Sequence, residues 1–175
     1  MPSGRTHDLV TCALAPPVFV VAQIYGGDLL FSGMIAMAMV FAGLMFGPDL
    51  DLQSKQYQRW GPLRFIWYPY MLMIGHRSRL SHGLILSTPV RILYFLVVVI
   101  VCSTTVLYAH RYYLYGNQTT WMAAFNQISA DLIVFWQKAD KRYLWAAFAG
   151  LWLGAAIHTL TDVLGSIAKK LRQMF

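Results

Sequence analysis

Residues 29–46, LLFSGMIAMAMVFAGLMF, run for eighteen positions without a charged side chain. A hydrocarbon core about 30 Å thick takes roughly 20 apolar residues in helical form, so this stretch is read as a membrane-crossing helix. The rest of the chain has to be compatible with it. Residues 88–108, TPVRILYFLVVVIVCSTTVLY, are as apolar and richer in β-branched side chains. In water those would favour a strand. An unpaired strand cannot cross a bilayer, so a helix is predicted here too. Residues 143–165, YLWAAFAGLWLGAAIHTLTDVLG, form a third clear span, and residues 9–25, LVTCALAPPVFVVAQIY, a marginal fourth. Pro16 and Pro17 should kink or break that last one near its start. The expected fold is all-α: one membrane domain of 175 residues with about four transmembrane helices.

Composition agrees. Hydrophobic residues make up 58% and charged residues 12%, about half the charged share of a soluble domain. The first eight residues, MPSGRTHD, are polar and the apolar run after them is too long for a signal peptide, so the chain is expected to be retained. The net charge of +7 is spread along loops rather than gathered in a stripe. That argues against a nucleic-acid partner and for contact with the headgroups of a lipid bilayer. Cys12 and Cys102 lie in apolar runs and read as buried small hydrophobes.

Between the spans, the 47–87 connection holds GPDLDLQSKQYQRWGP and then RFIWYPYMLMIG, which is too short to cross. Its Trp60, Trp67, Tyr68 and Tyr70 suit a membrane interface, so an interfacial or re-entrant segment is expected. Residues 109–142 are more polar. Trp121, Phe125, Ile128, Leu132, Phe135 and Trp136 recur there at helical spacing and predict an amphipathic helix on the membrane surface.

Four spans place both termini and the 47–87 connection on one side. Ten of the fourteen Lys and Arg residues fall there: Arg5, Lys55, Arg59, Arg64, Arg77, Arg79, Arg91, Lys169, Lys170 and Arg172. Arg111, Lys138, Lys141 and Arg142 fall opposite. The basic excess marks the cytoplasmic side. The same side collects His7, Asp8, Asp49, Asp51, His76, His82, His158 and Asp162, none of which entered that count.

His158 and Asp162 are four apart and share a helix face. Gly150 and Gly154 continue that row and would let another helix approach. An ionisable pair inside a span is a functional candidate, or else a hydrogen-bonded pair that only locks helices together. Asp49 and Asp51 flank Leu50 just after a helix stop. Two carboxylates so close are either solvated loop acids or share a cation, and oxygen with imidazole donors suits zinc first, with manganese or iron as alternatives. His76 and His82 are six apart, on different faces of a regular helix. For both to ligate, the stretch must turn; otherwise one supports the other. Arg77 and Arg79 between them would anchor an anionic group or touch headgroups. His7 beside Asp8 carries little weight alone, and His110 reads as interfacial.

Together these motifs resemble a known group. The opening Pro2-Ser3-Gly4-Arg5-Thr6-His7-Asp8, the segment Gly43-Leu44-Met45-Phe46-Gly47-Pro48-Asp49-Leu50-Asp51, the segment His76-Arg77-Ser78-Arg79-Leu80-Ser81-His82-Gly83 and His158-Thr159-Leu160-Thr161-Asp162 are similar to those of uncharacterised metal-binding membrane proteins frequent in cyanobacteria. More distantly, the PDLD, HRS…SH and HxxxD pattern resembles the LexA-binding inner-membrane-associated group of predicted metal-dependent hydrolases, although Ser78 stands where those usually have Gly. The resemblance implies a divalent-metal site at His7, Asp49, Asp51, His76, His82, His158 and Asp162.

The expected function is a metal-dependent hydrolase acting on a lipid or phosphate ester at the cytoplasmic face of a bacterial inner or thylakoid membrane. Asp51 or His82 would act as ligand or general base, and Arg77 would hold the anion. The alternative is non-catalytic: an assembly factor or small subunit of a larger, for instance photosynthetic, membrane complex, with the metal as a staple. A transporter fits less well, because no charged residue lies deep in the second or third span.

Overall fold

The computed structural model describes residues 3–75, 78, 80–116 and 119–174. Among them there is no strand. Seven α-helices follow one another: α1 (Gly4–Gly26), α2 (Leu29–Leu44), α3 (Lys55–Gln58), α4 (Tyr68–Met73), α5 (Ser87–Tyr115), α6 (Trp121–Lys138) and α7 (Lys141–Arg172). Two 3₁₀ turns, Pro48–Asp51 and Gly61–Trp67, lie in the connection after α2. Four stretches are long and apolar enough to cross a membrane: Gly4–Gly26, Leu29–Asp51, Ser87–Leu114 and Lys141–Arg172. They contain the four expected spans and extend most of them.

The chain forms two compact units, Met1–Arg91 with Lys141–Phe175, and Ile92–Asp140. In the first, α2 is the central element, packed against both α7 and α1, which also touch each other. Small residues set the α2–α7 approach. A Cβ on Gly154 would stand 2.3 Å from the Met39 carbonyl oxygen, and one on Gly150 would stand 2.4 Å from that of Ile35. Ascending residues of α7 thus meet ascending residues of α2, so the two helices run parallel. The expected role of the 150/154 row is met, with α2 as the partner. The parallel register carries His158 and Asp162, beyond Gly154, to the level of the Pro48–Asp51 turn.

At the other end of α2, Asp28 caps the helix by accepting from the backbone N–H of Leu30 at 2.8 Å. Its other oxygen accepts from Arg142 Nη2 at 2.6 Å and from the Tyr143 hydroxyl at 2.8 Å. These bonds hold the Asp28 carboxyl below the usual aspartate range, the Tyr143 bond foremost.

Several expectations change. The polar arm is part of α1, which starts at Gly4 because the Ser3 hydroxyl caps the Thr6 N–H at 3.3 Å. The helix also continues through Pro16 and Pro17 without the expected break. Proline φ suits a helix, so the cost is confined to the lost bonds and local crowding. Cys12 and Cys102 are free thiols on exposed helix faces rather than buried. An apolar residue in such a run need not face protein when apolar surface is left outward. Trp67 and Tyr70, expected at a membrane interface, are buried, while Tyr68 is exposed. Trp67 meets Phe46, Trp60 and Tyr70 edge-on at 5.4, 5.2 and 5.7 Å between centroids. This knot packs the connection against the end of α2.

In the second unit α6 doubles back along α5. Ile128, Leu132 and Phe135 of α6 line one cavity with Val99, Ile100 and Ser103 of α5. The helix is present, but Trp121, Leu132, Phe135 and Trp136 of its apolar stripe remain exposed.

Candidate metal centre

Five of the seven ligand candidates meet within the first unit. His7 comes from the first turns of α1, Asp49 from the turn after α2, His82 from the turn before α5, and His158 and Asp162 from α7. Asp49 divides its oxygens: Oδ1 lies 3.4 Å from His82 Nε2, and Oδ2 lies 3.2 Å from His158 Nε2. Asp162 does likewise, with Oδ1 3.3 Å from His7 Nε2 and Oδ2 3.8 Å from His158 Nε2. The His7 and His158 rings stack, centroids 3.9 Å apart. Asp51 is set back. Its buried carboxylate oxygen Oδ2 lies 3.7 Å from His82 Nδ1, on the far side of that ring from Asp49. His76 and Arg77 lie outside the described residues.

Two groups offer three ligand atoms within 4.8 Å of one another: His7, His158 and Asp162, and Asp49, His82 and Asp162. Asp162 belongs to both. The hydrogen bonds behind the rings distinguish them. Ser81 Oγ lies 3.3 Å from the Gly75 and Ser78 carbonyls, either of which can take its single proton, and 3.0 Å from His82 Nδ1, where the lone pairs that remain can accept. In the tautomer that donates from Nδ1 to Ser81, the Nε2 lone pair of His82 points toward Asp49. Imidazoles that ligate metals are held in this way, by an acceptor behind the ring.

His158 is arranged the other way round. Gln56 accepts from the Asp49 N–H through Oε1 at 3.2 Å and donates through Nε2 to the Gly43 carbonyl at 2.8 Å. These bonds orient the amide, and its remaining N–H faces His158 Nδ1 at 3.3 Å. Nδ1 of His158 is then the acceptor and Nε2 carries the proton. Ligation through Nε2 would move that proton to Nδ1, against the Gln56 N–H.

The donor set fits a divalent cation on the Asp49, His82 and Asp162 side. There a lone pair and two carboxylates converge, and acceptors crowded together need something positive between them. The buried His7 Nδ1 has no hydrogen-bond partner among the described residues, and Asp162 Oδ1 meets only the Nε2 of the same ring, at 3.3 Å. Such orphaned atoms suit an added ion or water.

Sequence reading missed the residues that build this setting. Gln56 had no signal beyond being polar in a loop. Gly47 is needed because a Cβ there would stand 2.3 Å from Gln56 Nε2. Arg91, expected near the cytoplasmic end of the 88–108 span as one of the basic residues of that side, is fully buried and donates to the Ser81 carbonyl at 3.2 Å, bracing the His82 turn. Arg59 donates to both Asp8 oxygens, at 2.9 and 2.5 Å, and to the Leu44 carbonyl at 2.8 Å. The Asp8 carboxylate holds the Arg59 guanidinium above its usual range.

A helical protein with long apolar segments and a partly buried His/Asp cluster of metal-ligand chemistry is thus defined. The chain belongs to the family described as uncharacterized metal-binding protein (DUF2227), whose model matches residues 2–172. An uncharacterized protein of Aquifex aeolicus is 44% identical over 48 residues, which is 27% of this chain and 33% of that relative's length. No solved structure matches the chain.

Proposed function

We propose that the protein is a membrane-embedded, metal-dependent hydrolase acting on a phosphate ester at the cytoplasmic face, with zinc as the ion. Asp49, His82 and Asp162 are its ligands; His7 and His158 flank them and offer a second position that shares Asp162. When bound, such a cation lowers the pKa of a coordinated water and polarises a phosphoryl oxygen. In hydrolysis the water oxygen bonds to phosphorus, the ester P–O bond breaks, and the leaving oxygen takes up a proton.

The residues divide the remaining work. Asp51 and Ser81 hold the His82 ring in its ligating tautomer. Gln56 ties Asp49 to the end of α2, and Arg91 braces the turn that presents His82. The orientation rests on the Lys/Arg asymmetry of the loops.

The observation that carries this reading is the convergence of His82 Nε2 on Asp49 Oδ1 at 3.4 Å beside Asp162, a ring nitrogen and two carboxylates within reach of one ion. A cavity of about 180 Å³ beside the cluster, lined by Asp49 and His158 among others, favours chemistry over a sealed structural staple.

Metal analysis of detergent-purified protein tests it. Wild type is expected to carry a divalent ion that Asp49→Ala, His82→Ala and Asp162→Ala each lose. Unchanged metal content in all three would sink the site. Full metal content with no hydrolysis of any phosphate ester would leave the non-catalytic reading, an assembly factor or small subunit of a larger complex.

A further inference from the structure

Two cavities of opposite character adjoin in the first unit. The polar one is lined by Gly4, His7, Asp49, Lys55, Gln56 and Arg59, among others. Its volume of about 180 Å³ holds several waters at roughly 30 Å³ each, hence a tetrahedral oxyanion but no long chain. The other is a groove of about 780 Å³ between α1 and α2. It is lined only by apolar side chains and glycine, Cys12, Phe19, Gly33, Met37, Phe41 and Leu44 among them. From Gly33 to Leu44 it spans about 17 Å at the helical rise per residue.

They meet at one place. Gly43 lines the cavity and Leu44 the groove. Arg59, in the cavity wall, donates to the Leu44 carbonyl at 2.8 Å. Asp8, its ion-pair partner, stands one helical turn before Cys12 of the groove.

The charges at the junction are unequal. Arg59 is neutralised by Asp8. Among the described residues no carboxylate pairs with the Lys55 ammonium, whose stem passes so close to Gly4 that a Cβ there would stand 2.8 Å from Lys55 Cδ. Asp49, the other charge in the cavity, is the one assigned to the metal above. With Asp49 held by the metal, the cavity mouth keeps one cation, Lys55, beyond the Arg59–Asp8 pair, next to an apolar trough.

We propose that the cavity and groove together bind one anionic amphiphile, a phosphate-bearing head at Lys55 with its alkyl chain lying along α1 and α2. As a substrate assignment this rests on the hydrolase reading; as a binding site it rests only on the metal holding Asp49. Charge complementarity selects the head, because a neutral or cationic head has no counterpart at Lys55. The groove accepts the chain because Gly33 leaves it open: a Cβ at Gly33 meets no atom within 4 Å.

The test uses the metal-loaded full chain in phosphatidylcholine nanodiscs, titrated with dodecyl phosphate and separately with inorganic phosphate, and with empty nanodiscs as the blank. Dodecyl phosphate is expected to bind saturably. Lys55→Gln should weaken both ligands about tenfold, the loss of one good charge contact. Gly33→Leu fills the groove and should weaken dodecyl phosphate similarly while leaving inorganic phosphate unchanged; Met37→Trp replaces it if that variant does not fold. Dodecyl phosphate affinity indifferent to both substitutions would overturn the proposal. So would equal affinity for the two ligands with no effect of filling the groove, which would mark the source as free phosphate. Lys55- and Gly33-dependent binding without hydrolysis supports this site and refutes only the hydrolase.

Discussion

The imidazoles of His7 and His158, 151 positions apart in the chain, lie ring on ring with 3.9 Å between centroids and 15° between planes. The stack joins the first turns of α1 to the middle of α7. His7 also places Nε2 3.3 Å from Asp162 Oδ1. The N-terminal segment is therefore a wall of the cluster.

Replacing that ring should loosen the wall. His7→Ala is expected to destabilise the protein by about 1–2 kcal/mol, an aromatic pair plus one polar contact. Amide exchange should rise selectively over residues 4–10. Uniform exchange along the chain, or none of this loss, would show that the stack holds nothing.

Tautomers separate the two histidines that face Asp49. Because His82 is held with its Nε2 lone pair inward and His158 is not, His82→Ala should lower metal affinity far more than His158→Ala. Asp51→Asn, which disturbs the support behind His82, should cost roughly 10–100-fold in affinity. Competition with a metal-binding dye reads all three. Equal losses for His82→Ala and His158→Ala would mean both rings ligate.

The helix contact at Gly154 leaves no room for a side chain. Gly154→Val drives carbons into the Met39 carbonyl, where neither backbone can retreat cheaply, and overpacking of this kind costs about 1–3 kcal/mol. Gly33→Val, on the open face of the same α2, should be nearly neutral. Thermal unfolding in detergent, followed by circular dichroism, compares them. Similar melting temperatures would contradict the parallel register of α2 and α7.

Acid should expose the contact at the far end of α2. The Asp28 carboxyl has a depressed pKa in the folded state, so its contribution is full above the unfolded value of about 3.9 and is lost as pH falls through the folded value. Asp28→Asn keeps a good helix cap but removes the charge facing Arg142. The wild-type advantage over this variant in melting temperature should therefore shrink as pH falls from about 5 to 2. An advantage that holds or grows in acid would reverse the assignment.

Some of this was legible in the chain as written. Apolar runs about as long as a bilayer core is thick declare helices by composition alone, and the 29–46, 88–108 and 143–165 runs did so. The spacing of His158 and Asp162, continued by Gly150 and Gly154, announced one helix face, because helical periodicity is local. The paired acids at Asp49 and Asp51 and the histidine at 82 advertised donor chemistry by residue type.

What lay beyond local pattern was decided only when the helices packed. The sequence treats Asp49 and Asp51 alike, yet one faces the cluster and the other stands behind His82. It ranks His82 and His158 together, yet Ser81 behind one ring and Gln56 behind the other set opposite tautomers. Lys55 and Gln56 read as ordinary loop residues, and Arg91 as a basic residue at a span's end, until the connection folded over the end of α2. The physical reason is range. Helix formation and hydropathy are summed over neighbours in the chain, whereas the tautomer and partner of a side chain are fixed by hydrogen bonds to segments tens of residues away. Those partners exist only after Gly150 and Gly154 have brought α7 against α2.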